Sequence, residues 1–517
     1  MHPVVHAKTQ PEHIAITMSA TGETVSYRQL NERSNQAAHL FRKHGLKRGD
    51  VVAFMLDNSG PEIFELAWGA QRSGLYFTCI STKLNAAEVT YIVEDSNARL
   101  LFGSASLADT LSVISANLTD INCYAIGGSI EGFSDYRSTV AELASTPIAD
   151  ESAGIDMLYS SGTTGKPKGV KPALPDTPFD HVSPIDMLPK AVFGLEDGSI
   201  YLSPAPLYHA APLRWCMSVQ RLGGNTIIME NFDAENCLRL IEHYTVESVQ
   251  FVPTHFVRML KLPQETREHY ELSSLKTVLH AAAPCPIAVK EQMLEWFGPI
   301  IYEYYSGTEN PGFCAISAQD WLSHKGSVGR AIMGTLRICD ENGDPVPIGS
   351  EGGVYFEGGN PISYHNAPEK IAESTNKHGW GTLGDVGWVD EDGFLYLTDR
   401  KSFMIISGGV NIYPQEIENL LVGHPEVLDA AVIGGPDPDF GERVIAVVQP
   451  MDMAASGDRL KEDIMAFLRS QLSTIKLPKQ IDFRDEIPRH PNGKLYKRLL
   501  RDAYWEKAVD SSVKPTN

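Results

Sequence analysis

Residues 159 to 170 read YSSGTTGKPKGV. One tyrosine is followed by four hydroxyls (Ser160, Ser161, Thr163, Thr164), three glycines (Gly162, Gly165, Gly169) and two lysines (Lys166, Lys168). Glycine lets backbone N–H groups converge closely on a ligand, while hydroxyls and lysines add donors and positive charge. The combination predicts a loop that holds a polyphosphate. It is not a Walker A loop: no glycine stands five residues before Gly165, and Pro167 occupies the place of the magnesium-binding Ser or Thr. A flexible linker is the plainer alternative, but interleaved lysines and a proline are poor linker chemistry.

Four further stretches carry chemistry. Tyr304-Tyr305-Ser306-Gly307-Thr308-Glu309 sets an aromatic ring, able to stack on a base, near a carboxylate able to hold magnesium on phosphates. Trp380-Gly381-Thr382-Leu383-Gly384-Asp385 places a carboxylate after a glycine turn, where it can accept hydrogen bonds from sugar hydroxyls. Asp399-Arg400-Lys401-Ser402 precedes Ile405-Ile406-Ser407-Gly408-Gly409, and Pro491-Asn492-Gly493-Lys494 lies near the C-terminus.

The elements that must position these residues follow from composition and pattern. A chain of 517 residues exceeds one core, and 43% hydrophobic with 21% charged residues is ordinary globular composition. The net charge of −21 excludes the broad basic surface that a nucleic-acid or anionic-membrane partner needs. No apolar run of 18 or more residues and no basic-then-apolar leader is present, so neither a membrane span nor secretion is expected. Seven scattered cysteines without a C-x-x-C pair fit a reduced, cytoplasmic protein with no zinc framework. Ile14 to Val25 reads as a hairpin, Ser26 with Gln29 as a capping box opening a helix that ends at Gly45, and Val51 to Leu56 as a buried strand. Strand–helix alternation continues through Leu100–Phe102, Thr226–Met229 and Val249–Val252, which predicts a layered α/β body with largely parallel sheets. Gly/Asp turns become dense after about residue 325, as in a β-rich region. A small α/β unit is expected from Arg400, with helices starting at Pro414 and over 458–472 and a strand at Ala430–Ile433. The expected division is therefore a large body over 1–399 and a small mobile lid over 400–517.

In this order the five stretches resemble the adenylate-forming superfamily of acyl-CoA synthetases, peptide-synthetase adenylation domains and luciferase, from about Pro11 to Trp505. The segments Met404 to Glu418 and Pro491 to Arg498 are most similar to bacterial AMP-forming acyl-CoA synthetases. The resemblance implies a two-step reaction. A carboxylate attacks the α-phosphate of ATP to give an acyl-adenylate and pyrophosphate, and the thiol of coenzyme A then displaces AMP. It also implies roles. Ser161, Gly162, Thr163, Thr164, Gly165, Lys166 and Lys168 grip the β- and γ-phosphates. Ala282, Ala283 and Pro284 line the adenine site, with Tyr305 on the base. Thr308 meets the α-phosphate, Glu309 holds Mg2+, and Asp385 and Arg400 take the ribose hydroxyls. His209 stands beside the acyl and pantetheine channels, Gly408 and Gly409 wall the pantetheine tunnel, and Ser402 is the lid hinge. Lys494 is the adenylation residue, a role that electrostatics supports. A lysine between a carboxylate and a triphosphate offsets their repulsion and fixes the angle of attack.

Four positions depart from the commonest family form: Ser402 and Phe403 at the hinge, Ser306 where glycine is usual beside the acyl pocket, and Leu383 where threonine is usual. None removes a charge that the chemistry needs. The leading expectation is an acid–CoA ligase acting on a hydrophobic carboxylic acid, with ATP and coenzyme A as co-substrates. The alternatives are a stand-alone enzyme loading a carrier protein, a member that performs mainly one half-reaction, and a nucleotide-binding sensor without turnover. A homodimer is the expected form of any oligomer.

Overall fold

The computed structural model describes residues 1–517 except 119–120, 161–166, 183, 401–402, 408–409, 439, 490–493 and 513–517; the side chains of 117, 160, 184–185, 400 and 507–512 are also outside the description. Its contacts divide the chain into two compact units. The first comprises Met1–Gln250, Glu268–Leu279 and Ile362–Glu373; the second comprises Phe251–Arg267, His280–Pro361 and Ser374–Asn517.

The first unit is built on parallel strands. One six-stranded sheet runs Ser134–Asp135, Asn122–Ile126, Ala98–Ser104, Val51–Met55, Tyr76–Cys79, Ile155–Asp156, every pair parallel. In the second sheet, Ser248–Phe251, Ile200–Ser203, Asn225–Ile228 and Ile14–Met18 run parallel, and Thr24–Ser26 closes the edge antiparallel. Strands such as Val51–Met55 are buried at every position, as parallel strands covered on both faces must be. The capping box forms as expected: Ser26 and Gln29 satisfy each other's backbone N–H groups and start the helix Tyr27–Lys43. Pro61 precedes the helix Glu62–Arg72, whose buried Trp68 donates its indole N–H to Gln220 at 2.6 Å.

Among its described strand pairs, the second unit is antiparallel except for Gly441–Pro450 with Gln480–Phe483. Ile301–Tyr305, Phe313–Ile316 and Arg330–Met333 form one run. Thr335–Cys339, Gly352–Glu357, Gly381–Val389 and Leu395–Arg400 form a four-stranded meander where dense Gly/Asp turns predict β structure. Beyond residue 400, long paired strands Val427–Asp437 and Gly441–Pro450 carry Ile405–Ser407 and the parallel strand Gln480–Phe483 at their edge. The helices Pro414–Val422 and Asp458–Arg469 cover this sheet, with Ile417, Leu421, Leu460, Ile464 and Leu468 in its core. Parallel pairing thus dominates the first unit, while the second relies on hairpins that need only short turns.

Candidate functional site

The phosphate-loop segment lies in the first unit, and its described parts are two arms. Leu158–Ser160 pairs antiparallel with Lys168–Val170, placing Tyr159 opposite Gly169. Ser161, Gly162, Thr163, Thr164, Gly165 and Lys166 lie outside the described residues. Tyr159 donates its hydroxyl to Asp95 Oδ2 at 2.6 Å, at the end of the helix Ala86–Asp95. Burial and Asp95 together raise the Tyr159 pKa, which keeps the phenol protonated as donor. Gly169 has a specific packing reason to be glycine: a Cβ there would stand 2.9 Å from Tyr159 Cζ and 3.1 Å from Met157 Cε. The last glycine of the motif therefore makes room for a ring inside the protein. A third segment, from Ser363, backs the outgoing arm. Lys171 N donates to Ser363 O at 3.0 Å, His365 N donates to Gly169 O at 2.7 Å, and Val170 bridges Tyr364. The Lys168 ammonium stands 5.7 Å from the centre of the Tyr364 ring. His209, also in this unit, is the N-cap residue of the helix Ala210–Arg221, its ring 4.6 Å from that of Tyr208.

The expected base and ribose residues meet in the second unit. Tyr305 donates its hydroxyl to Asp385 Oδ2 at 2.6 Å, joining two motifs 80 residues apart. Asp385 and Arg400 are directly opposed in register across the meander, so the Arg400 backbone, at least, is placed beside the carboxylate. Asp385 is buried, and Gly384 before it adopts φ +83, a left-handed turn that glycine takes without strain. Thr382 stiffens this turn: its hydroxyl donates to Val354 O at 2.6 Å and accepts from Gly384 N at 3.0 Å.

The Thr308–Glu309 loop is packed from two directions. A Cβ on Gly307 would meet Leu383 Cδ2 at 2.6 Å and Glu309 Oε2 at 3.0 Å, so Leu383 lies over that glycine. Ser306 donates its hydroxyl to Gly312 O at 2.9 Å, with Asn310 Oδ1 as a second acceptor within reach at 3.2 Å. The hydroxyl that departs from the family pattern is thus used to brace its own loop.

The Ala282–Pro284 segment shows backbone strain at an expected ligand position. Ala282 adopts φ +76, where a side chain is disfavoured, and a residue held there marks a segment over-determined by its surroundings. Those surroundings include a buried charge pair. Lys290 Nζ donates to Glu303 Oε2 at 2.6 Å and sits 4.8 Å from the Trp321 ring centre. His280, fully buried just before the segment, has Nε2 3.4 Å from the same carboxylate oxygen. Burial first, then Lys290, pushes the His280 pKa well down, so the imidazole is neutral. The pair ties the strand that ends in Tyr305 to the helix Ile287–Phe297.

Lys494 is held through its neighbours. Arg489 pairs with both oxygens of Asp429, at 2.5 and 2.6 Å, and bridges Leu495. On the other side, Lys497 pairs with Glu418 at 2.9 Å, both nearly inaccessible to solvent. The same carboxylate oxygen, Glu418 Oε1, also accepts from Val432 N at 2.7 Å. Phe403, where an acid is usual, puts its ring centre 5.3 Å from Lys497 Nζ. Pro491-Asn492-Gly493, Ser402, Gly408 and Gly409 lie outside the described residues.

Motif reading missed several supporting residues. Glu418 and Lys497 stand inside quoted motifs, but their neighbours, Ile417 and Asn419 for one and Tyr496 and Arg498 for the other, do not mark them as a buried pair. Asp95, His365, Glu303 and Lys290 offered none, because each acts through a partner on another element. No group of three or more His, Cys, Asp or Glu side chains is gathered for a metal among the described residues. No described helix is long and apolar enough to cross a membrane.

Comparison with known proteins gives the family. The model of the AMP-binding enzyme family matches residues 4–363, and that of the AMP-binding enzyme C-terminal domain matches 416–494. The fatty acid–[acyl-carrier-protein] ligase ScoC of Streptomyces coeruleorubidus is 31% identical over 97% of this chain and 95% of its own length. Feruloyl-CoA synthase of an Amycolatopsis species is also 31% identical, over 96% of this chain and 97% of its own. The crystal structure of ATP-bound MatB from Rhodopseudomonas palustris superposes with a TM-score of 0.79 at 26% identity, covering 98% of this chain and 99% of that one. The chain belongs to the AMP-binding enzyme family.

Proposed function

We propose that this family member is an AMP-forming carboxylic acid–CoA ligase acting on a hydrophobic acid. The observation that carries the reading is the 2.6 Å hydrogen bond between Tyr305 and Asp385, which joins the expected base and ribose motifs. Feruloyl-CoA synthase, similar along nearly its whole length, supports coenzyme A as acceptor.

In the reaction, Ser161 to Lys166 and Lys168 hold the β- and γ-phosphates of ATP. Ala282 to Pro284 and Tyr305 receive adenine, Asp385 and Arg400 receive the ribose, and Thr308 meets the α-phosphate. Lys494 bridges the acid's carboxylate and the α-phosphate, and adenylation releases pyrophosphate. The lid, residues 400–517, then turns about Ser402 on the body, residues 1–399. Gly408 and Gly409 guide the pantetheine arm past His209, and the thiol attacks the acyl-adenylate. This anhydride is reactive enough to need no strong protein base. A single carboxylate, Glu309, fits Mg2+, which keeps several waters and takes its other ligands from phosphates. When bound, the ion neutralises phosphate charge. Seven unpaired cysteines suit a cytoplasmic enzyme, and the default assembly is a homodimer.

Release of AMP and pyrophosphate with a panel of carboxylic acids, with and without coenzyme A, tests the reading. Acid-dependent AMP formation that requires coenzyme A supports it. The similarity to ScoC favours one alternative, transfer to a carrier-protein phosphopantetheine. That alternative is shown if product forms only when a carrier protein replaces coenzyme A.

A further inference from the structure

The phosphate-loop hairpin is fastened by a polar cluster drawn from three distant segments. Besides its backbone bond to Gly169, His365 makes a side-chain contact with Asp95 O at 2.9 Å, 270 residues away in the chain. A carbonyl oxygen only accepts, so Nε2 carries the proton and Nδ1 keeps its lone pair. That lone pair faces Lys171 Nζ at 3.5 Å. Asn366 adds a second donor to Asp95 O at 3.3 Å. The same Asp95 accepts the Tyr159 hydroxyl through its carboxylate. One residue therefore ties down the incoming arm through its side chain and the outgoing arm through its carbonyl and His365.

The arrangement admits only the neutral imidazole without penalty. A second proton would sit on Nδ1 and point at the Lys171 ammonium.

We propose that His365 is a proton-sensitive positioning residue for ATP binding: neutral, it fastens the hairpin arms to the helix Ala86–Asp95, and protonated, it repels Lys171 and loosens the arm Lys168–Val170. The inference rests on the reading of this hairpin as the phosphate grip. The charged and titratable groups around His365 are Lys171 on the outgoing arm, the Asp95 carboxylate, and the Tyr159 phenol on the incoming arm. Lys168 lies further off, over the Tyr364 ring. Lys171 is itself held 5.0 Å from the Tyr76 ring centre, which keeps its charge in place. Burial first, then Lys171, lowers the His365 pKa, against a smaller opposing pull from Asp95. Because the folded state binds this proton less well than an exposed imidazole of pKa about 6.5, the clamp is complete above that pH and is lost only as pH falls through the lower folded value.

The test is the KM for ATP in pyrophosphate exchange, measured on the full-length enzyme between about pH 5 and 8. For the wild type, KM is expected to rise toward acid pH with a slope no steeper than about one decade per pH unit, the mark of one proton, and to level off once His365 is protonated. His365→Gln keeps a donor for the Asp95 carbonyl and an acceptor for Lys171 but does not titrate, so its acid limb is expected to be absent. Titration of ATP itself is common to both proteins and cancels in their ratio. His365→Ala is expected to raise KM for ATP about 2- to 10-fold at neutral pH, the loss of one ordinary hydrogen bond. Transfer from supplied acyl-adenylate to coenzyme A should be unchanged in both variants, which a merely structural role would not predict. An acid limb retained in His365→Gln, or one equally strong in acyl-adenylate transfer, overturns the proposal. Direct titration with a fluorescent ATP analogue separates the two readings. Binding that weakens with acid in the wild type but not in His365→Gln upholds the clamp even if no acid is ever activated. Absence of ATP binding at every pH removes the clamp and the ligase reading together.

Discussion

Two segments of this enzyme carry the lysines expected to meet phosphate, and they are secured by different chemistry. The hairpin leading to Lys168 is held by hydrogen bonds through a phenol, an imidazole and backbone groups, centred on Asp95. The tail around Lys494 is held by two ion pairs, Arg489–Asp429 and Lys497–Glu418. Hydrogen bonds contribute modestly and can be remade, whereas a buried ion pair such as Lys497–Glu418 fixes geometry firmly but leaves a stranded charge if one partner is lost. On the proposed reading, the first mode suits a grip that admits and releases a nucleotide. On the same reading, the second suits a segment that carries one ammonium group intact between orientations.

The sharpest way to break the comparison is at the lysine itself. Lys494→Ala is expected to lower adenylation by at least about 100- to 1,000-fold, read as acid-dependent pyrophosphate exchange, while transfer from supplied acyl-adenylate survives. Wild-type exchange in that variant would remove Lys494 from the chemistry. Next comes its support. Glu418→Gln keeps the acceptor for Val432 N but strands the buried Lys497 ammonium, which should cost about 3–5 kcal/mol in calorimetric unfolding. Adding Lys497→Met should recover much of that loss, and a strictly additive double variant would show that the two groups do not act as a pair.

On the hairpin side the effects are smaller. Gly169→Ala drives a methyl group into the Tyr159 ring and should cost about 1–3 kcal/mol, with a raised KM for ATP. Unchanged unfolding and unchanged KM would show that the ring has room to move. Smallest of all, Ser306→Gly removes a hydroxyl braced against Gly312 O and should cost about 0.5–1.5 kcal/mol without altering acid preference. A several-fold change in preference across the acid panel would instead place that hydroxyl against the substrate.

Much of the fold was legible because its determinants are local. The capping box at Ser26 and Gln29 works within one helical turn, and Val51–Met55 announces a doubly covered strand by being apolar at every position. The change from α/β alternation to Gly/Asp-rich hairpins after residue 325 also shows in composition, since antiparallel strands are joined by short turns. The residues proposed for the site were picked out for a related reason. Tyr305, Thr308, Glu309 and Asp385 stand in short motifs whose spacing is dictated by one loop or one strand.

The supports were not legible. Asp95 reads as an ordinary acid at the end of a helix, His365 as a loop histidine, and Lys290 as a charge on a helix face. Their significance depends on partners brought together by folding: Asp95 with His365 across 270 residues, and Tyr305 with Asp385 across 80. Even Gly169, in the most informative motif of the chain, has a reason that only the packed structure supplies, the ring of Tyr159.

The amino-acid order alone determined the strands, the helix starts and the chemical groups, because propensity, patterning and motif spacing act over a few residues. Tertiary structure decided which hydroxyls brace loops, which charges are buried in pairs and which histidine is kept neutral. Those outcomes depend on desolvation and on distances between remote segments, and neither exists until the chain has folded.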